Sequence, residues 1–191
     1  MGKGRLEAFS DGVIAILITI MVLELKVPHG DGWDALGPVV PAFLTYILSF
    51  IFLGIYWNNH HHLLQATQHV HGGVMWANLH LLFWLSLTPF VTAWMGENRF
   101  TPWPVALYGI VLLGAGLAYF ILSRALVALH GRDSAIATAL GSDLKGRISL
   151  GIYVAAIPLA FVRSWMACAL YVLVEIIWLV PDRRIERTLA R

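Results

Sequence analysis

Residues 5–26 read RLEAFSDGVIAILITIMVLELK, an arginine and an aspartate at the head of a run of isoleucine, leucine and valine. A bilayer core about 30 Å thick takes roughly 20 helical residues per crossing, and this run meets that length. Lys3 and Arg5 ahead of an apolar run could suggest a secretory leader. The run is too long for one, and LELKVPHG after it offers no small-residue cleavage site, so it reads as a retained first span.

Outward from this first run, near Phe9 to Leu25, further apolar runs fall near Val39 to Leu64, Val74 to Met95, Val105 to Leu129, Ile148 to Phe161 and Ser164 to Val180. The last two could be one helix, but residues 148–180 would then measure about 50 Å, too long for one crossing even when tilted. A break near Arg163 resolves this. With 59% hydrophobic and 13% charged residues and a mean hydropathy of +0.73, the chain lies far from the roughly 25% charged composition of soluble domains. The expectation is an all-α membrane protein, one domain over residues 1–191 with six transmembrane helices, multi-pass in the cell membrane. Its loops are too small to house an enzyme, and no nucleic-acid partner is expected.

Charge distribution tests the count. Lys3, Arg5, Arg124, Arg132, Lys145, Arg147, Arg183, Arg184, Arg187 and Arg191 fall on one side of a six-span chain, and Lys26, Arg99 and Arg163 on the other. Cytoplasmic loops hold the excess of Lys and Arg, so both termini are expected on the cytoplasmic side. The one cysteine, Cys168, has no internal partner and reads as a small buried hydrophobe.

On the first helix, residues three and four apart share a face. Ile16, Thr19, Ile20 and Leu23 line up, and Gly12 and Phe9 extend the stripe toward the helix start. Asp11 points roughly 140° away from Ile16 at about 100° per residue. On residue type alone the stripe is most often a lipid or packing face. An ionisable group inside a span costs about 2.5–3.5 kcal/mol on insertion scales, so Asp11 needs a partner or water, and Arg5 can reach back to it.

The second span ends in YWNNHHHLL. Consecutive histidines on a helix diverge by about 100° and cannot all close on one metal ion, so His60, His61 and His62 do not read as a metal site. One histidine and one asparagine should face the bundle. The third span, WANLHLLFWLSLTPF, carries Asn78 and His80 at the depth of Asp11 and the histidines. Unpaired polar groups in lipid cost several kcal/mol, so a hydrogen-bonded network joining three helices is the economical account. Glu175 is a lone acid in YVLVEIIW, which a water-facing subunit boundary would accommodate. No phosphate-binding loop, zinc-protease motif, nucleophile elbow or dinucleotide fingerprint is present. Equally absent is TVGYG, the carbonyl filter of ordinary potassium channels.

At RLEAFSDGVIAI the chain resembles the prokaryotic relatives of transmembrane protein 175, the endosomal and lysosomal potassium channel. The signature R-x-x-x-F-S-D is intact as Arg5, Phe9, Ser10 and Asp11. Further likeness lies in Trp57 followed by His60, in Asn78, and in the Pro89–Phe90 pair; it weakens after about Val105. The resemblance implies a potassium-permeable channel without a cofactor, a homotetramer in the bilayer, whose pore is lined by the first helix. It places a hydrophobic constriction on Ile16 and Leu23, with Ile20 on the same face, and a hydroxyl that assists selectivity at Thr19. Arg5, Phe9, Ser10, Asp11, Trp57, His60 and Asn78 would then form the structural network that holds the pore helix to its bundle. The competing reading is a proton-coupled secondary transporter using Asp11 or Glu175, against which stands the lack of inverted repeats. A membrane scaffold is a third.

Overall fold

The computed structural model describes residues 3–131, 134, 137–138 and 143–179. These residues form helices and no strand: α1 (Lys3–Leu23), a 3-10 turn (Trp33–Val39), α2 (Val40–Gln65), α3 (Gly72–Ser86), α4 (Thr88–Glu97), α5 (Pro102–His130), α6 (Leu144–Val162) and α7 (Ser164–Leu179). Five segments are long and apolar enough to cross a membrane, with α3 and α4 counted as one, and α7 is a shorter apolar helix of 16 residues. Val180 and the tail arginines Arg183, Arg184, Arg187 and Arg191 lie outside the described residues, as does Arg132.

The helix ends follow from local chemistry. The third apolar run, read from sequence as one segment, divides at Leu87 because Pro89 has no N–H for the carbonyl four residues back. Leu87 N–H bonds to the Trp84 carbonyl at 3.2 Å, and regular pairing resumes where Val91 N–H meets Leu87 at 3.1 Å. At the end of α4, Phe100 N–H bonds to the Met95 carbonyl and Arg99 N–H to Gly96, a Schellman closure with Arg99 in the left-handed region at φ 47°. The expected break at Arg163 is present: its backbone is extended, at φ −153° and ψ 94°, between α6 and α7.

α5 is the central helix, packing on α3, α4, α6 and α7. Two glycines permit the close approach. A Cβ at Gly114 would enter the Trp84 ring, and one at Gly109 would collide with the Tyr171 hydroxyl. That hydroxyl donates to the Val105 carbonyl at 3.1 Å in the buried interior. α1 lies at the side of the bundle against α2, α3 and α4. Its two ends are tied differently. Lys3 Nζ donates to the Gln65 carbonyl at 3.2 Å at the end of α2, while Lys26, beyond the other end, pairs with Glu97 at 2.5 Å.

Candidate functional site

α1 has two faces of opposite fate. Leu6, Ser10, Ile14, Leu17 and Met21 recur every three or four residues and are buried against the neighbouring helices, Ile14 to 1% exposure and Met21 to 2%. Ile16, Thr19, Ile20 and Leu23 occupy the other side and are exposed, Ile16 at 57% and Leu23 at 80%. Phe9 and Gly12 continue this uncovered side toward the start of the helix. A stripe of large aliphatic residues in mid-helix is therefore left largely uncovered by the described residues, Ile20 least so at 39% exposure. The Thr19 hydroxyl donates to the Ile16 carbonyl at 2.9 Å, which commits its proton and leaves the oxygen as an acceptor.

Behind this stripe runs a buried polar chain. Ser10 Oγ donates to the Leu6 carbonyl at 2.8 Å, so it can only accept from its next neighbour. That neighbour is Asn78 Nδ2, at 2.9 Å. Asn78 thus turns its Oδ1 toward His60 Nε2, at 2.7 Å, and the acceptor dictates that Nε2 carries the imidazole proton. His60 Nδ1 is then a bare buried acceptor without a partner among the described residues. All three residues are fully buried, and they join α1, α2 and α3 through side chains alone.

Asp11 takes a different partner from the one its position suggests. Trp57 Nε1 donates to Asp11 Oδ1 at 3.1 Å, while Arg5 is exposed and makes no ion pair or hydrogen bond among the described residues. The indole wins because it reaches across from α2, whereas Arg5 extends toward solvent at the helix start. Phe9 is likewise exposed. Glu7, which sequence reasoning passed over, faces His61 Nδ1 at 3.5 Å. The polar residues thus form separate links, Ser10–Asn78–His60, Asp11–Trp57 and Glu7–His61, rather than one network.

Other polar residues also fall elsewhere. His80 is exposed and accepts from Trp84 Nε1 at 3.0 Å, one turn along its own helix. His71 caps α3, its Nδ1 accepting from Gly73 N–H at 2.9 Å. Glu175, whose role sequence leaves open and which a water-facing subunit boundary would have accommodated, is only 4% exposed inside the bundle, because α2, α5 and α6 close over it. The described residues hold no cluster of His, Cys, Asp and Glu that could take a metal ion.

The family model described as Endosomal/lysosomal potassium channel TMEM175 matches residues 5–89. A potassium channel of Chryseobacterium sp. (strain P1-3) is 54% identical over 189 residues, covering 99% of this chain and 98% of that protein. The chain belongs to the TMEM175 family. A potassium channel of Streptomyces collinus is 34% identical over 178 residues, covering 87% and 86% of the two chains. The crystal structure of a lysosomal potassium-selective channel TMEM175 homolog from Chamaesiphon minutus aligns with a TM-score of 0.76 at 26% identity, over 93% of this chain and 96% of that one. TMEM175 proteins are ion channels, not enzymes, and the shared fold makes this chain a multi-pass, all-helical membrane protein. The TMEM175 match takes in the exposed stripe of α1 and all of Ser10, His60 and Asn78.

Proposed function

We propose that this protein is a potassium-permeable channel of the cell membrane, a homotetramer whose first helices meet on the symmetry axis and line the pore. The observation that carries the reading is the division of α1. Its inner face is buried in its own bundle, while Ile16 and Leu23, and to a lesser degree Ile20, are exposed on the opposite side. Relatives along nearly the whole chain are named potassium channels, which supplies the permeant ion.

Four such helices would stack rings of Ile16, Ile20 and Leu23 over a rise of about 10 Å, with the Thr19 oxygens between them. A bare aliphatic ring gates by dewetting, since an ion cannot trade its hydration shell for side chains that offer no oxygen. Outward movement of the helices admits water and lets hydrated potassium through. Discrimination against sodium is weak, because a single hydroxyl ring is the sole polar lining. Ser10–Asn78–His60 and Asp11–Trp57 hold α1 to its subunit and stay out of the ion path. Both termini face the cytoplasm, as the excess of Lys and Arg on that side supports.

Potassium-loaded liposomes containing the purified protein test this. Downhill potassium flux without a proton gradient is expected, and Ile16→Asn raises it by keeping the constriction wet. Unchanged flux from a well-assembled Ile16→Asn protein removes Ile16 from the pore. Flux that saturates and needs a proton gradient replaces the channel with a coupled carrier. Native mass in detergent checks the four subunits.

A further inference from the structure

A second polar feature lies away from α1. α2, α5, α6 and α7 enclose a cavity with about 50 Å³ of space for water centres, lined by Phe52, Tyr56, Tyr119, Tyr153, Trp178 and Glu175, among others. At about 10–15 Å³ per water this is room for about three to five waters or one small organic group. Asp143 and Gly146, at the start of α6, also line it, so it reaches that end of the helix. Glu175 is 96% buried by the 4% exposure given above, yet its Oε1 has no hydrogen-bond partner among the described residues. Three of the nearby polar side chains are engaged elsewhere, while the hydroxyl-bearing Tyr56 and Tyr153 also line the cavity. Trp178 Nε1 donates to Ser149 Oγ at 2.9 Å, Ser149 donates to the Lys145 carbonyl at 2.8 Å, and the Tyr119 hydroxyl donates to the Asn59 carbonyl at 3.3 Å.

We propose that this cavity is a binding site for a small protonated amine bearing an apolar group. A buried carboxylate is costly until it meets an opposite charge with hydrogen-bond donors, and an ammonium supplies both. The surrounding rings favour a cation over a neutral molecule, because their faces carry negative charge density. One cation already uses the rim this way: the Arg124 guanidinium lies over the Phe120 ring, 5.1 Å from its centre, and Phe120 lines the cavity. Tyr56 and Tyr119 meet edge to face at 5.9 Å, and Phe52 and Tyr56 lie 4.7 Å apart. Walls this rich in carbon suit the apolar part of such an amine. They suit a bare metal ion poorly, since it needs oxygens all round.

The test is calorimetric titration of the full-length protein in detergent with benzylammonium, and separately with benzyl alcohol, its neutral counterpart of similar shape. Benzylammonium is expected to saturate one site per chain and to bind at least tenfold tighter than the alcohol. Glu175→Gln weakens it at least tenfold, whereas Glu7→Gln, on α1, leaves it unchanged. Equal binding of amine and alcohol, absence of saturable binding, or full affinity in Glu175→Gln overturns the proposal. The comparison of the two ligands on the wild-type chain decides the matter even if Glu175→Gln does not fold. Because binding rather than flux is read, the result is independent of whether α1 lines a pore.

Discussion

Asn78→Ala removes the middle of the buried chain that ties α1 to α2 and α3. Ser10 keeps its bond to the Leu6 carbonyl and loses only an incoming donor. His60 fares worse: its Nε2–H is left without the acceptor it has at 2.7 Å, in a site with no exposure. An orphaned buried donor costs about 1–3 kcal/mol. The lost Asn78–Ser10 bond adds about 0.6 kcal/mol, the average for interhelical bonds in membranes, and at most about 1.7 kcal/mol. Together the substitution should destabilise the fold by about 1.6–4.7 kcal/mol. Reversible unfolding in mixed micelles, followed by circular dichroism, measures it. A double-mutant cycle with Ser10→Ala isolates the link, with an expected coupling of about 0.5–3 kcal/mol. A change within about 0.5 kcal/mol, together with additivity in the cycle, refutes the idea that this chain fastens α1.

Three further outcomes follow from the packing and the charges. Leu17→Ala, on the buried face of α1, should cost about 2–5 kcal/mol in the same unfolding assay, whereas Ile16→Ala on the exposed face stays within about 0.5 kcal/mol for the unassembled chain. Gly114→Ala drives a methyl group into the Trp84 ring and should destabilise by about 1–3 kcal/mol, with Trp84→Ala partly relieving the clash in a cycle. Burial pushes the Asp143 carboxyl above its ordinary 3.8, outweighing the Gly146 N–H, Arg124 and Arg147, which draw it down. Its contribution to stability is therefore complete below pH 3.8 and lost as pH rises through the raised value. Asp143→Asn, a residue that tolerates the local φ of 44°, should make thermal stability flatter with pH above 3.8 than the wild type's.

Features set by length and repetition were legible in the sequence. The two faces of α1 follow from spacing alone, and the break at Arg163 follows from comparing 33 residues of apolar chain with the thickness of a bilayer. The division of the third run at Leu87 was harder, because Pro89 was visible but hydropathy does not record a missing N–H. Ser10, Asp11, Trp57, His60 and Asn78 could be singled out by polarity, yet their pairing could not. A helical wheel gives a direction and not the partner, so Arg5 stood in for Trp57. His71 escaped notice because caps are ordinarily Ser, Thr, Asp or Asn, and an imidazole nitrogen fills that place here. Glu175 could not be placed for a related reason: the cavity it lines needs four helices, and no single one of them predicts it.

The unequal fastening of α1 has a mechanical consequence. Near its start, the hydrogen bond that Ser10 accepts from Asn78 is sealed from solvent. Beyond its far end, the Lys26–Glu97 pair is exposed and screened by salt. Such a rod pivots rather than slides. Leu23 is about 20 Å from Ser10 and Ile16 about 9 Å, so a tilt of about 5° displaces them by about 1.7 Å and 0.8 Å. In the tetramer proposed above, the Leu23 ring would therefore widen before the Ile16 ring, which would be the last barrier to yield.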